Sequence, residues 1–86
     1  MDKETQVYYE DLLEMFQGKG WTSLKLDLDA MSKSMLQDSP INCDTNDKWQ
    51  FRRGQLEILS YLTGYEDLMT NAFEQLKVQE DSEQGQ

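Results

Sequence analysis

The sequence predicts an all-α protein, built as a helical hairpin or a small bundle of three to four amphipathic helices. Apolar residues recur at intervals of three and four in four segments, as on one face of a helix. Glycine, proline and clusters of capping residues separate these segments. One stretch, "LKLDLD" at residues 24–29, alternates like a strand. A lone strand would lack partners for its backbone groups, so helix is the favoured interpretation there.

The first segment, "ETQVYYEDLLEMF", places Tyr8, Leu12 and Phe16 at intervals of four residues. This spacing predicts an amphipathic helix, capped by Asp2 or Thr5. The "GKG" at residues 18–20 is expected to end it, because glycine adopts the backbone conformations that a helix exit needs.

The second segment predicts a helix from about Thr22 to Gln37, with Leu26 at the margin of its apolar stripe. That stripe consists of Trp21, Leu24, Leu28, Met31 and Met35. A linker follows at "DSPINCDTND", residues 38–47, which contains the only proline, Pro40.

A third helix is predicted over residues 46–63, capped by Asp44, Thr45 or Asn46 and ended by Gly64. Its apolar face carries Phe51, Gln55, Ile58 and Leu62, flanked by Leu59 and Leu56. A fourth helix over residues 65–79 has a stripe of Leu68, Met69, Ala72, Phe73 and Leu76. The second and third helices are expected to form the long antiparallel pair. The predicted organisation is one domain, residues 1–78, with a frayed polar tail at 79–86.

The composition is strongly acidic. The 86 residues include 17 acidic and 8 basic side chains, for a net charge of −9 and a pI of about 4.2. Such a charge opposes approach to nucleic acid or anionic lipid, so neither direct nucleic-acid binding nor membrane association is expected. The single cysteine, Cys43, excludes an intramolecular disulfide and suits a reducing compartment. An intracellular, soluble protein is expected.

Catalytic residue types are scarce. The chain has no histidine and no glycine-rich phosphate loop, so we expect no catalytic residues, no cofactor and no metal. Asn42, Asp44 and Asn46 alternate like the start of a calcium loop, but the sixth and twelfth positions are Asp47 and Arg53 rather than glycine and glutamate. The sequence therefore predicts a non-enzymatic protein.

The stretch "FRRGQLEIL", residues 51–59, places two arginines beside a glycine in an acidic chain. In one interpretation the arginines neutralise the chain's own carboxylates, Arg53 through Glu57 and either arginine through Asp27 or Asp29. In the other, Trp49, Arg52 and Arg53 form a contact patch, since tryptophan and arginine dominate interface energetics. Gly54 is expected to let another helix approach closely.

More aromatic surface is present than a small hairpin can bury. Part of it is therefore expected to contact another copy or another protein. The predicted partner-binding residues are Trp49, Arg52, Arg53, Trp21 and Tyr61.

The segments "YYEDLLEMFQGKGW", "CDTND" and "FRRGQLEILSYLTGYEDL" together resemble a type of small acidic helical-hairpin protein encoded by tailed bacteriophages. The resemblance spans roughly residues 8–76 and implies no active site. It implies a structural or packaging role, a larger phage structural protein or self-association as partner, and a location in the cytoplasm of the infected host or in the virion.

The leading hypothesis is thus a non-enzymatic helical interaction module of virion assembly or structure. The alternative is an acidic mimic of nucleic acid that inhibits a host DNA- or RNA-binding enzyme. Against the mimic, lysines and arginines interrupt the acidic field. Its acids would be Asp2, Glu4, Glu10, Asp11, Glu14, Asp27 and Asp29.

Overall fold

A computed structural model describes the backbone of residues 1–84 and the side chains of residues 1–82. This part of the chain forms four helices and no strand, so the predicted all-α class is confirmed. The helices are α1 (Lys3–Phe16), α2 (Lys19–Asn42), α3 (Asn46–Thr63) and α4 (Tyr65–Gln84).

The four helices form one long hairpin with a break in each arm. Helix α2 packs along α3, and α1 packs along α4. The 14 residues of α1 and the 24 of α2 correspond to about 57 Å of helix at 1.5 Å per residue. This sum matches the longest dimension of the molecule, 58 Å. Each arm therefore runs nearly the full length of the protein.

The two breaks lie beside each other and form a joint in the middle of the hairpin. In one arm Gly18 has an extended backbone, and in the other only Gly64 separates α3 from α4. The rings of Phe16 and Tyr65 lie 5.9 Å apart across the joint. The indole N–H of Trp21 donates to Glu66 Oε1 at 2.9 Å.

Helix α2 is longer at both ends than the sequence predicted. Gly18 precedes its first turn, so "GKG" does not form a loop, and Gly20 lies within the helix. At the other end Pro40 lies inside the last turn rather than in the linker. Proline costs a helix one hydrogen bond, but the N–H of Cys43 still donates to the Ser39 carbonyl at 2.9 Å. The helical register is maintained throughout residues 22–37.

The other boundaries are closer to prediction. Asp2 caps α1 by accepting from the Thr5 N–H at 2.8 Å, and Thr45 caps α3 by accepting from the Lys48 N–H at 3.2 Å. Helix α4 continues through Gln84, five residues beyond the predicted end, and Glu80 forms an ion pair with the amino group of Met1. Residues 85 and 86 of the predicted tail lie outside the described residues. The division at residue 78 stays a prediction.

The interior of this hairpin is thin. Among the described side chains, the apolar residues that are buried are Phe16, Leu59 and Phe73. The radius of gyration is 18.1 Å, whereas a compact domain of this length has about 12 Å. A two-layer arrangement of this kind leaves much of each helix facing solvent.

Candidate interaction surface

The apolar stripe predicted for α3 does not face α2. The residues that point into the α2–α3 seam are Arg52, Leu56, Leu59 and Thr63, spaced by four, three and four. Phe51 and Ile58 each precede a seam residue by one position, which turns them about 100° away from that residue around the helix. They are 72% and 63% exposed. The most apolar side of α3 is therefore left uncovered by its own chain.

The same side of α2 is apolar as well. Leu24 and Met31, seven residues apart, share one face of α2 and are both exposed. A groove of about 320 Å³ joins the two helices on this side, and it is lined by Met31, Met35, Gln55, Ile58 and Leu59. We call this surface the open face: Leu24, Met31, Phe51, Ile58 and Leu62, with Met35 in the groove.

The opposite side of the α2–α3 pair is charged. Lys33 Nζ pairs with Asp29 at 3.1 Å, and Arg53 Nε pairs with Glu57 at 3.4 Å. Leu26 is 67% exposed among these polar neighbours. We call this surface the charged face. Leu36, seven residues after Asp29, is exposed on this side too, so the charged face differs from the open face mainly in these ion pairs.

The two arginines of "FRRGQLEIL" have different environments. Arg52 reaches back to the end of α2, where it donates to the Met35 carbonyl at 3.0 Å and pairs with Asp38 at 3.2 Å. Arg53 pairs along its own helix with Glu57. Both arginines therefore have an internal carboxylate partner, as the first interpretation held.

The carboxylate that Arg52 contacts is not one of those expected from the sequence. Asp38, rather than Asp27 or Asp29, meets Arg52, because α2 continues past residue 37 and carries Asp38 to the level of Arg52. The expectation for Gly54 is wrong. Apart from its chain neighbours and the backbone of its own helix, no described atom lies within 4 Å of where its Cβ would be, so no described helix of this chain approaches it.

The predicted partner-binding residues do not form one patch. Trp21 lies at the joint, with its ring centroid 5.0 Å from that of Phe16. Tyr61 is exposed and lies 5.6 Å from the ring of Tyr65, also near the joint. Trp49 is 40% exposed near the loop. Their role in binding a partner stays a prediction.

A second group of aromatic rings lies between α1 and α4, beyond the joint. Tyr8 and Tyr9 meet edge to face at 5.3 Å, and Tyr9 stacks on Phe73 at 5.2 Å. The nearby Tyr8 hydroxyl, as hydrogen-bond partner, raises the pKa of Tyr65, and burial adds to this shift. The stacking of Tyr9 on Phe73 joins α1 to α4 and so helps to hold the two arms together.

The calcium-like pattern at the loop has local explanations. Asn42 donates to the Asp38 carboxylate one turn earlier. Asp44 pairs with Lys48 at 2.9 Å. Within the described residues, no three acidic or cysteine side chains lie together as a metal site would need.

Charge is divided unevenly along the hairpin. The terminal half, α1 and α4 with the chain end (residues 1–16 and 65–86), holds eleven acidic and two basic residues, a net charge of −9. The loop half, residues 17–64, holds six of each and is neutral. The open face as defined lies entirely on the loop half.

Sequence reasoning missed the open face because it treated each apolar stripe as the side that packs. A second pattern was present in α3, namely the weaker series Arg52, Leu56, Leu59 and Thr63. Two such series on one helix, one residue apart, indicate a helix that packs in two directions. The net charge of the whole chain likewise does not show that the acidic excess lies in the terminal half.

Comparisons with protein-family models, with curated proteins and with solved structures found no match to this chain. In the described part of the chain, none of the helices is long and apolar enough to cross a bilayer.

Proposed function

We propose that this chain is a non-enzymatic helical module that acts by binding protein through its open face. The observation that carries this proposal is the row of exposed apolar side chains along α2 and α3. Contiguous apolar surface that is rimmed by polar residues is typical of protein-binding sites. Here Asp47 and Lys48 border Phe51 toward the loop, and Gln55 is a polar residue within the groove itself.

The resemblance of the sequence to small phage proteins is the reason to expect partners among virion components. In that setting the module would be part of virion assembly or structure. A short hairpin supports such a role because its rigid helices present side chains at fixed spacing. The acidic charge supports solubility of the free module before assembly.

The test compares two single substitutions of matched exposure. Ile58→Glu places a charge on the open face, and Leu26→Glu places the same charge on the charged face. Tagged versions of both variants and of the native chain are used to capture proteins from phage-infected cells. We expect structural proteins of the virion to be retained by the native chain and by Leu26→Glu, and lost with Ile58→Glu.

Salt distinguishes this function from nucleic-acid mimicry. Capture through apolar contact withstands high salt, whereas capture by an acidic mimic is lost as salt screens the charges. Recovery of a nucleic-acid enzyme that elutes at high salt and binds Ile58→Glu equally well would contradict the proposed function.

A further inference from the structure

The chain exposes more surface than a compact protein of its mass. Its accessible surface is 6701 Å² for 10.1 kDa, whereas a compact monomer of this mass exposes about 5,300 Å². The excess is about 1,400 Å². This excess is spread over the elongated chain, and a stable dimer needs about 800 Å² from each partner, so one interface would cover a little more than half of it.

The open face also has the shape that a second hairpin can cover. It consists of two adjacent helices with a shallow groove between them, and the exposed side chains of Met31 and Ile58 lie on either side. Two such pairs laid face to face make a four-helix bundle, in which each groove receives side chains of the other copy. A twofold axis makes this contact self-complementary.

Charge selects the orientation of the two copies. A parallel pair would set one terminal half of net charge −9 beside another. An antiparallel pair of loop halves brings two neutral segments together and leaves the acidic halves at opposite ends. The neutral halves can therefore associate while the acidic halves keep the assembly soluble.

We propose that the open face binds the open face of a second copy of this chain, in antiparallel orientation. The loop halves then form a four-helix bundle, with Phe51 and Ile58 in its interior and one acidic terminal half projecting from each end. This inference rests on the proposed function, since it names what covers the same surface in the free module before a virion protein takes its place.

The first experiment measures molar mass by sedimentation equilibrium across a range of concentrations. We expect the native chain and Leu26→Glu to have twice the 10.1 kDa mass of one chain. In a twofold dimer the substitution is present in both copies at the interface. Ile58→Glu should therefore raise the dimer Kd by about a hundredfold. Circular dichroism should find equal helix content in both variants, since each changed side chain is mostly exposed.

The second experiment measures orientation with a spin label on Cys43, the single cysteine, which lies at the loop. Antiparallel loop halves separate the two labels by about the length of α2, roughly 36 Å. Parallel hairpins would bring them within about 20 Å, the span of two neighbouring helices. A short distance would overturn the antiparallel arrangement.

Two outcomes would overturn self-association: a native chain that stays a monomer at high concentration, or a dimer that Leu26→Glu breaks and Ile58→Glu does not. Neither outcome decides the proposed function. If the monomeric chain still captures a virion protein through Ile58, the proposed function holds and only the identity of the partner is wrong. If the chain dimerises as proposed but captures nothing else, the role in virion assembly fails instead.

Discussion

The terminal half and the loop half of this hairpin are stabilised in different ways. Between α1 and α4 the contacts include a stacked pair of rings, Tyr9 on Phe73, and the charge is −9. Between α2 and α3 the seam includes Ser32, Ser39 and Arg52, and the charge is zero. The loop half buries Leu59 in this seam but leaves Phe51 and Ile58 largely exposed. In our proposal, the neutral half with exposed apolar side chains is the part of the hairpin that packs against a partner.

The largest expected effect comes from a substitution that removes a ring from the interior of the terminal half. Phe73→Ala should lower the free energy of unfolding by about 3–5 kcal/mol, because the side chain is 5% exposed and stacks on Tyr9. Phe51→Ala is the matched control in the loop half, where the ring is 72% exposed. Its cost should stay within about 0.5 kcal/mol.

Both substitutions are measured by urea unfolding in the Ile58→Glu background, so that self-association does not contribute. Equal losses from Phe73→Ala and Phe51→Ala would mean that the open face is packed within the chain, and the distinction between the halves would fail.

The next effect concerns the polar seam of the loop half. Arg52→Ala should destabilise the protein by about 1.5 kcal/mol or more, since the side chain joins the Met35 carbonyl and Asp38 of the other helix. Arg53→Ala removes only the exposed pair with Glu57 and should cost about 0.2–0.5 kcal/mol. Urea unfolding of the two variants side by side checks the difference. A larger loss of stability from Arg53→Ala would show that Arg53, rather than Arg52, stabilises the contact between α2 and α3.

The sequence was sufficient for the class, for the antiparallel pair and for the bounds of α3, because helical periodicity and capping residues are local signals. It was insufficient for the ends of α2, where Pro40 was taken to end the helix. The contact between Arg52 and Asp38, and the burial of Ser39, fix that last turn against α3, and such contacts join residues distant in sequence.

The candidate surface was harder to predict than the fold. The exposed position of Ile58 depends on which of two neighbouring stripes meets α2. A difference of one residue, or about 100° of helix rotation, decides this. Trp21, by contrast, was expected at a partner surface, but its N–H and ring both have contacts within the chain. A sequence pattern does not distinguish these two outcomes.

A smaller effect tests whether the outer side of α3 is free at Gly54. Gly54→Ala should stabilise the protein by about 0.5–1 kcal/mol, because no atom lies near the new methyl group and the unfolded chain loses freedom. Gly18→Ala is the control at the joint, where the methyl group would lie 3.2 Å from the Met15 carbonyl, and no such gain is expected. Thermal unfolding measures both. A loss of stability from Gly54→Ala would indicate a helix contact there after all.

The smallest effect is a pH dependence at the joint. A raised pKa of Tyr65 in the folded protein means that folding favours the neutral phenol. This contribution is complete below the pKa of about 10 for an unfolded tyrosine and is lost as the pH rises through the folded value. Tyr8→Phe should bring the pKa of Tyr65 closer to ordinary, which an absorbance titration of tyrosinate would detect. If the titration of Tyr65 is the same in Tyr8→Phe as in the native chain, Tyr8 is not the cause of the raised pKa.

The most direct test of the central claim is the dependence of stability on protein concentration. If a second copy covers the open face, the apparent unfolding free energy per chain should rise by about 1.4 kcal/mol over a hundredfold increase in concentration, because the free folded chain then rises about tenfold. The same series with Ile58→Glu should be flat. A native chain whose urea midpoint does not move with concentration would contradict the claim that its open face binds another copy.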